Sequence, residues 1–492
     1  MALQNSGINK LASSTCKFCK FDFLPIKRSF KNYSREKAAA DLKAGLNVAL
    51  LAFPQSMAYA VIAGLPIFYG LFTEIVAGIV GPIFSGSRLL IAGSTNATAV
   101  LFFATIITLG LTPEHMLAIV PLLLFMVGVF LIVGSLIGVA NFIQFISRSV
   151  ITGYITAAAF YIIVNQTSKV FGVHVDLSGG FTLFGLAWKT MLAIPHSNPP
   201  TLLLSGVTAG CYWLMQKHFP KLPNVAIVLV LMSALGVVFN DAIAHSLMAA
   251  AWVPIAHLDA VSVSSWKLHV PHFNLADINL IAQTALVIAF LCTLEAASVG
   301  KSVAARAGEK FDAVPEIMGV GAANIASAFW GGMPVSGSPV RSQLNWSSGA
   351  HTALAPIISS LFVAVGVFFI GAGVFHFVRP APYLAMMPPW LPQPNILVAV
   401  SGLAEIAGGI GVLLGRFRRL AAWGLIALLV AVFPANLHVA LHGWPGMDFP
   451  RWVLWVRLPF QVLFIWLVYY FCLAPGTRRA AEQAEVEWPD AP

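Results

Sequence analysis

Pro54-Gln55-Ser56 stands in the middle of an apolar run otherwise long enough to cross a bilayer. The run lies within the stretch DLKAGLNVALLAFPQSMAYAVIAGLPIFYGLFTEIVAGIVGPIFSGSRLLIAGS, from Asp41 to Ser94. A span built only as an anchor would not carry a proline and a glutamine at its centre. Breaking a membrane helix frees backbone N–H and C=O groups, which is tolerated only where protein or a water-filled cavity satisfies them again. Interrupted spans of this kind mark transport sites. The stretch therefore predicts a broken first span in a protein that moves a solute.

The rest of the chain fits an all-α polytopic membrane protein. Of its 492 residues 58% are hydrophobic and only 10% charged, against about 25% charged in a soluble domain. Apolar runs of spanning length recur at about 43–62, 67–85, 95–111, 116–138, 149–166, 200–215, 222–240, 279–299, 314–330, 339–348, 352–376, 395–415, 418–441 and 455–474, about 14 spans in all. The net charge of +9 would suit nucleic acid, but its distribution argues for a membrane instead. Nine lysines and arginines, from Lys10 to Lys43, precede the first span or stand at its start. With that end inside, 21 of the 28 Lys and Arg fall on inside loops and span ends and six outside. This is the asymmetry of the positive-inside rule. It predicts a basic cytoplasmic segment over 1–40, a cytoplasmic C-terminus, and residence in the cell's inner (plasma) membrane. The tail over 476–492 is polar, acidic towards its end, and expected to be disordered. No apolar stretch with a cleavage site stands at the start, so no cleaved signal peptide is expected.

Chemistry-bearing motifs are sparse. Cys16-Lys-Phe-Cys19 is a lone CxxC and a poor zinc candidate. Cys211, Cys292 and Cys472 lie in apolar runs and behave as small hydrophobes. His245, His257, His269 and His272 are too irregularly spaced to suggest a metal site. Without a Walker A lysine motif or a dinucleotide fingerprint, ATP-driven transport and a bound cofactor are not expected.

Each ionisable residue inside a span is costly and asks for a reason. Arg341 sits in GGMPVSGSPVRSQLNWSSGA, whose Gly, Pro and Ser predict a short half-helix starting near Ser338 at mid-membrane. Its N-terminal amides together with the guanidinium would form a positive spot for an anion; a structural pairing or snorkelling of Arg341 is the alternative. The stretch SGSRLLIAGSTNATAVLF suggests a matching half-helix starting near Thr95, and two interrupted segments in corresponding halves point to a site between inverted repeats. Glu295, in LVIAFLCTLEAASVGKS, reads as a proton-titrating or coupling carboxylate, or else as a helix-end partner of Lys301. Glu74 reads as buried at a helix contact, without an assigned role. Glu316 reads as a cap at the start of the ninth span.

The strings PQSMAYA, AGLPIFYGL, RSVITGYITAAAFYIIVNQ and FWGGMPVSGSPVRSQLNWSSGAHTALA follow in the order found in the SulP family of anion transporters, which the chain resembles over about 30–365. The resemblance implies an inverted-repeat core of the SulP/UraA type, with two seven-span repeats divided into core and gate. The anion would lie between the facing ends of the third and tenth spans, near the first. The matching positions are Gln55 and Tyr59, Thr95 with its neighbour Asn96, and Val340 and Arg341. Glu295 matches a glutamate linked to proton coupling in bacterial members. The family commonly has Gly-Pro-x-Ala where this chain has Gly93-Ser94-Thr95-Asn96-Ala97, so Thr95 and Asn96 bear on which anion is preferred. Family members are often dimers, so a homodimer is among the expected partners.

After about residue 365 that resemblance stops, leaving the second repeat incomplete. The strings HFVRP, PPWLP, SGLAEIAGGIG, AAWGL and FPANLHVA instead resemble the DoxX family of four-span membrane proteins over 366–475. The division expected is a SulP-like domain over 41–365 and a DoxX-like four-helix bundle over 366–475, with His376, Glu405 and Asn436 as a polar cluster in the latter. The function expected is secondary active transport of a small inorganic anion by alternating access, coupled to a proton or sodium ion or to exchange. Sulfate leads the candidates, with bicarbonate or another oxyanion next. The alternatives are a DoxX-type accessory subunit of a membrane thiol or quinone oxidoreductase, with the transporter half vestigial, and a gene fusion without function.

Overall fold

The computed structural model describes residues 24–31, 33–85, 87–110, 113–139, 148–173, 183–218, short pieces between 228 and 240, 268–378, 380–413, 418–444 and 451–473. The CxxC, His245, His257, Arg379, the C-terminal tail and most of the expected span at 222–240 lie outside them.

The first helix, α1 (Arg35–Ile62), starts eight residues before the expected span. Ser34 caps it, accepting from Lys37 N at 3.3 Å, and Glu36 complements the helix dipole in the first turn. The expected break is not there. The helix runs unbroken through Pro54 to Ile62; Pro54 withholds one N–H, and Ser56 Oγ bonds back to the Phe53 carbonyl at 3.0 Å. The other helices of the first half are α2 (Ile67–Phe84), α3 (Asn96–Thr108), α4 (Pro113–Leu136), α5 (Arg148–Phe171), α6 (Leu183–Ala193) and α7 (Pro199–His218). The second half holds α8 (Leu275–Ala307), α9 (Ala313–Phe329), α10 (Pro339–Ser347) and α11 (Leu354–Val378). Three-residue strands, β1 (Ala92–Ser94) and β2 (Val335–Gly337), lead directly into α3 and α10.

The contacts reveal a two-fold relationship. Where α4 packs on α9, α11 packs on α2; where α4 packs on α8, α11 packs on α1; where α1 touches α10, α8 touches α3. Exchanging α1–α4 with α8–α11 reproduces the set, and β1 pairs antiparallel with β2 across the centre. The two halves are inverted repeats of one four-helix unit. Their helices approach closely through small residues, as membrane helices do. A Cβ on Gly128 of α4 would lie 2.7 Å from the Gly321 carbonyl of α9, and one on Gly319 of α9 would lie 2.8 Å from the Gly81 carbonyl of α2. The side chains between these helices form the larger core, from Leu122, Leu123 and Leu124 to Ile288, Val320 and Ala323. Helix α5 contacts α6 and α7, and it also meets α3.

The C-terminal part holds α12 (Pro380–Ala385), α13 (Pro394–Leu413), α14 (Arg418–His442) and α15 (Arg451–Cys472). The boundary expected at 365–366 falls inside α11. A second core joins Leu46 and Ala49 of α1, Ile75 of α2 and Val363 of α11 to Val412 of α13, Leu425 of α14 and Val468 of α15. Five of the described helices, α1, α2, α4, α8 and α14, are long and apolar enough to cross a membrane by length and composition. The figure of about 14 spans is therefore not reached on those criteria among the described residues.

Candidate anion site between the half-helices

Because β1 and β2 are antiparallel, α3 and α10 leave the pair in opposite directions with their N-termini beside it. A two-stranded ladder at membrane depth exposes backbone groups that need partners. The Asn324 side chain of α9 supplies them on the β2 edge, accepting from Val335 N (3.0 Å) and donating to Val335 O (2.9 Å). Thr73 Oγ1 accepts from Met333 N at 2.7 Å just before the strand, and Ser338 N donates to the Ile91 carbonyl at 2.9 Å just after it.

Thr95 caps α3. Its Oγ1 accepts from Thr98 N (3.2 Å) and donates to Glu295 Oε2 (2.9 Å), so one hydroxyl serves both the helix end and the carboxylate. Ser336 of β2 lies against the same carboxylate and, at 3.3 Å, the Cys292 carbonyl. Tyr59 of α1 is within electrostatic reach of both Glu295 and Arg341. Gln55 Oε1, Ser94 Oγ and Asn96 Oδ1 are buried without hydrogen-bond partners, an arrangement that a bound polar solute would relieve. Val340 is 53% exposed at the start of α10, while the next residue, Arg341, is fully buried. The structure thus brings Tyr59, Thr95, Glu295 and Arg341 together around the paired strands. Glu295 is held by Thr95 and Ser336 rather than by Lys301, which stays on the exposed end of α8.

Arg341 differs from the expectation in one respect. Its guanidinium is not an open positive spot. Nη1 forms an ion pair with Glu74 Oε2, Nη2 donates to the Ser94 carbonyl, and Nε donates to Ser338 Oγ at 2.9 Å. Glu74 is 1% exposed. Gly93 makes room for the pair: a Cβ there would stand 2.7–2.8 Å from both guanidinium nitrogens and 2.8 Å from the Glu74 carboxylate. Sequence reasoning left Glu74 without a role because its partner lies 267 residues away; the signal was a lone carboxylate in an apolar span, which demands a cation.

Glu316 also differs from its expected role. Asp312 caps α9, accepting from Val314 N at 3.2 Å. Glu316 is buried and accepts from Ser85 Oγ at 2.6 Å, tying α9 to the end of α2.

The C-terminal polar residues divide into two groups. His376 Nδ1 lies 3.5 Å from Glu405 Oε2, with the Tyr383 ring stacked on the imidazole at 3.7 Å between centroids. Arg457, which sits 4.9 Å over the Trp444 ring, completes that group electrostatically. Asn436 is bonded to Gln461, Nδ2 to Oε1, at 2.9 Å. The expected His376–Glu405–Asn436 cluster is therefore a histidine–glutamate pair, with Asn436 in a contact of its own.

The comparisons with known proteins bear on both parts of the chain. Residues 365–472 match DUF8561, a domain of unknown function, and the DoxX resemblance drawn from the sequence finds no support there. The chain is 27% identical over 380 residues to YvdB of Bacillus subtilis, covering 76% of this chain and 66% of that one. It is 27% identical over 370 residues to human solute carrier family 26 member 6, covering 70% and 46% respectively. It thus spans about two thirds or less of the length of these relatives. The transmembrane domain of the cyanobacterial bicarbonate transporter BicA shares the fold, with a TM-score of 0.55 at 18% identity over 88% of this chain and 97% of that domain. The sulfate permease family matches residues 39–388, past the expected end at 365 and over most of the chain. The chain belongs to the sulfate permease (SulP) family of membrane anion transporters.

Proposed function

We propose that this protein is a secondary active transporter of a small inorganic anion, sulfate or bicarbonate among them, that works by alternating access in the inner (plasma) membrane with both termini cytoplasmic. The observation that carries this reading is the antiparallel β1–β2 pair, which sets the N-termini of α3 and α10 beside one another at the centre of the inverted repeats. Helix N-termini carry positive potential suited to anions. The unpartnered Gln55 Oε1, Ser94 Oγ and Asn96 Oδ1 beside them support a polar occupant. Glu295, bonded to the Thr95 cap, is the coupling carboxylate. Its negative charge opposes the anion, so a proton or sodium ion at Glu295 and an anion at the half-helices favour each other's binding. The unit α1–α4 with α8–α11 moves as a body against α5–α7. We further propose that α13–α15 complete the second repeat, since they share a core with α1, α2 and α11. A homodimer is the assembly this reading takes from the family.

The test is uptake of labelled sulfate and bicarbonate into proteoliposomes holding the purified chain, with and without an inward proton or sodium gradient, for the wild type and Glu295→Gln. Gradient-driven uptake lost in the variant supports the reading. A well-folded wild type that moves neither anion overturns it.

A further inference from the structure

The charges beside the half-helices do not match a doubly charged substrate. Arg341 is always protonated, but its charge is committed to Glu74. Both side chains are essentially inaccessible, 0% and 1% exposed, in an ion pair flanked by the Ser94 carbonyl and Ser338 Oγ. Lys169, a cation on the neighbouring α5, is turned to the Val61 carbonyl at the C-terminal end of α1 (3.5 Å). Among the described residues, what remains beside the half-helices is Glu295 and the two helix N-termini, each worth roughly half a positive charge. With Glu295 ionised these sum to about zero, and with Glu295 neutralised to about one positive charge. That complements one negative charge and not two.

We propose that Glu74 is the charge-selectivity residue of this site: by holding Arg341 in a closed pair it makes the transporter prefer monovalent anions, such as bicarbonate or nitrate, over divalent sulfate. The proposal rests on the transporter reading above and narrows its substrate class. A free guanidinium near a binding site attracts a dianion about twice as strongly as a monoanion, and the difference is large where water is excluded; pairing with Glu74 removes that advantage. Discrimination here comes from a cancelled attraction: Glu74 withholds the Arg341 charge that a dianion would need. The position of the pair against Gly93, two residues before the α3 cap, puts it next to that site and outside it.

The test compares uptake of labelled sulfate, bicarbonate and nitrate at equal concentration into proteoliposomes. The proteins are the wild type, Glu74→Gln, and the double variant Glu74→Gln with Arg341→Gln. The wild type is expected to favour each monoanion over sulfate by tenfold or more. Glu74→Gln, which frees one positive charge, is expected to move that ratio at least tenfold towards sulfate. The double variant restores the wild-type net charge and is expected to restore the wild-type ratio. If Glu74→Gln does not fold, as judged by size-exclusion profile and melting temperature, the wild type and the double variant still decide. A wild type that prefers sulfate, a folded Glu74→Gln that keeps the wild-type ratio, or a double variant that loses the monoanion preference overturns the proposal. A folded wild type that carries none of the three anions overturns the transporter reading itself.

Discussion

Thr95 Oγ1 donates to Glu295 Oε2 across the seam between the two repeats, joining the cap of one half-helix to the carboxylate of the facing half. The same hydroxyl accepts from Thr98 N, so its proton is directed to Glu295. A change at Glu295 is felt directly at the N-terminus of α3.

Replacing Thr95 with valine keeps the shape and removes both bonds. A hydrogen bond to a charged group is worth about 1.5–3 kcal/mol. Thr95→Val is expected to lower gradient-driven anion uptake by about tenfold or more, and Thr95→Ser to retain most of it. Initial rates in proteoliposomes check this; equal rates for Val and Ser would rule out the cap-to-carboxylate link.

Arg341→Ala alone is expected to fail as a protein before it fails as a transporter. Removing one partner of a buried ion pair leaves an uncompensated charge and costs about 3–5 kcal/mol. Replacing Glu74 and Arg341 together with glutamine removes both charges and is expected to recover most of that loss. Thermal unfolding in detergent, run on the single and double variants, measures the coupling between them.

Asp41 of α1 accepts from His351 N (2.7 Å), Thr352 N (2.9 Å) and Thr352 Oγ1 (2.5 Å), fixing the chain just before α11. Asp41→Ala is expected to destabilise by about 2–3 kcal/mol, the cost of leaving buried donors unpaired, with Asp41→Asn intermediate. Hydrogen exchange at residues 350–354 is expected to rise in the alanine variant; unchanged protection there would exclude the tie.

The crossing of α4 and α9 at Gly128 and Gly321 leaves no room for a side chain. Gly128→Val is expected to cost about 1–3 kcal/mol through overpacking and to lower the melting temperature. Gly206→Ala, where the added carbon meets nothing within 4 Å, serves as the control.

Much of this architecture was legible in the chain. The apolar runs located most of the described helices because lipid leaves little choice of where a helix can lie, but they gave no sign of the short α6 and α12 and fell eight residues short at the start of α1 and at the end of α8. The half-helix starts near Thr95 and Ser338 were legible because Gly, Ser and Pro interrupt apolar runs there. Pro54 misled for a physical reason: a proline removes one N–H but does not end a helix whose neighbours hold it in place. The Glu74–Arg341 pair was hidden because partners so distant in sequence are set by the packing of α2 against the centre of the repeats. Asn324, which satisfies an edge of β2, was hidden for the same reason. The division expected at 365–366 falls where the DUF8561 match begins, but local strings carry no information about which core their helices join: α11 runs across the division, and Leu425 and Val468 pack with α1.

The β1–β2 pair has a consequence for biogenesis. Ser94 pairs with Val335, roughly 240 residues later in the chain. At about 5–20 residues per second, the ribosome takes on the order of tens of seconds to supply that partner. During this interval the first repeat sits in the bilayer with β1 unpaired, at a depth where lipid offers its backbone no hydrogen bonds. Insertion factors that shelter polar backbone are most needed in that window, and a pause or truncation between the repeats exposes the nascent chain to membrane quality control.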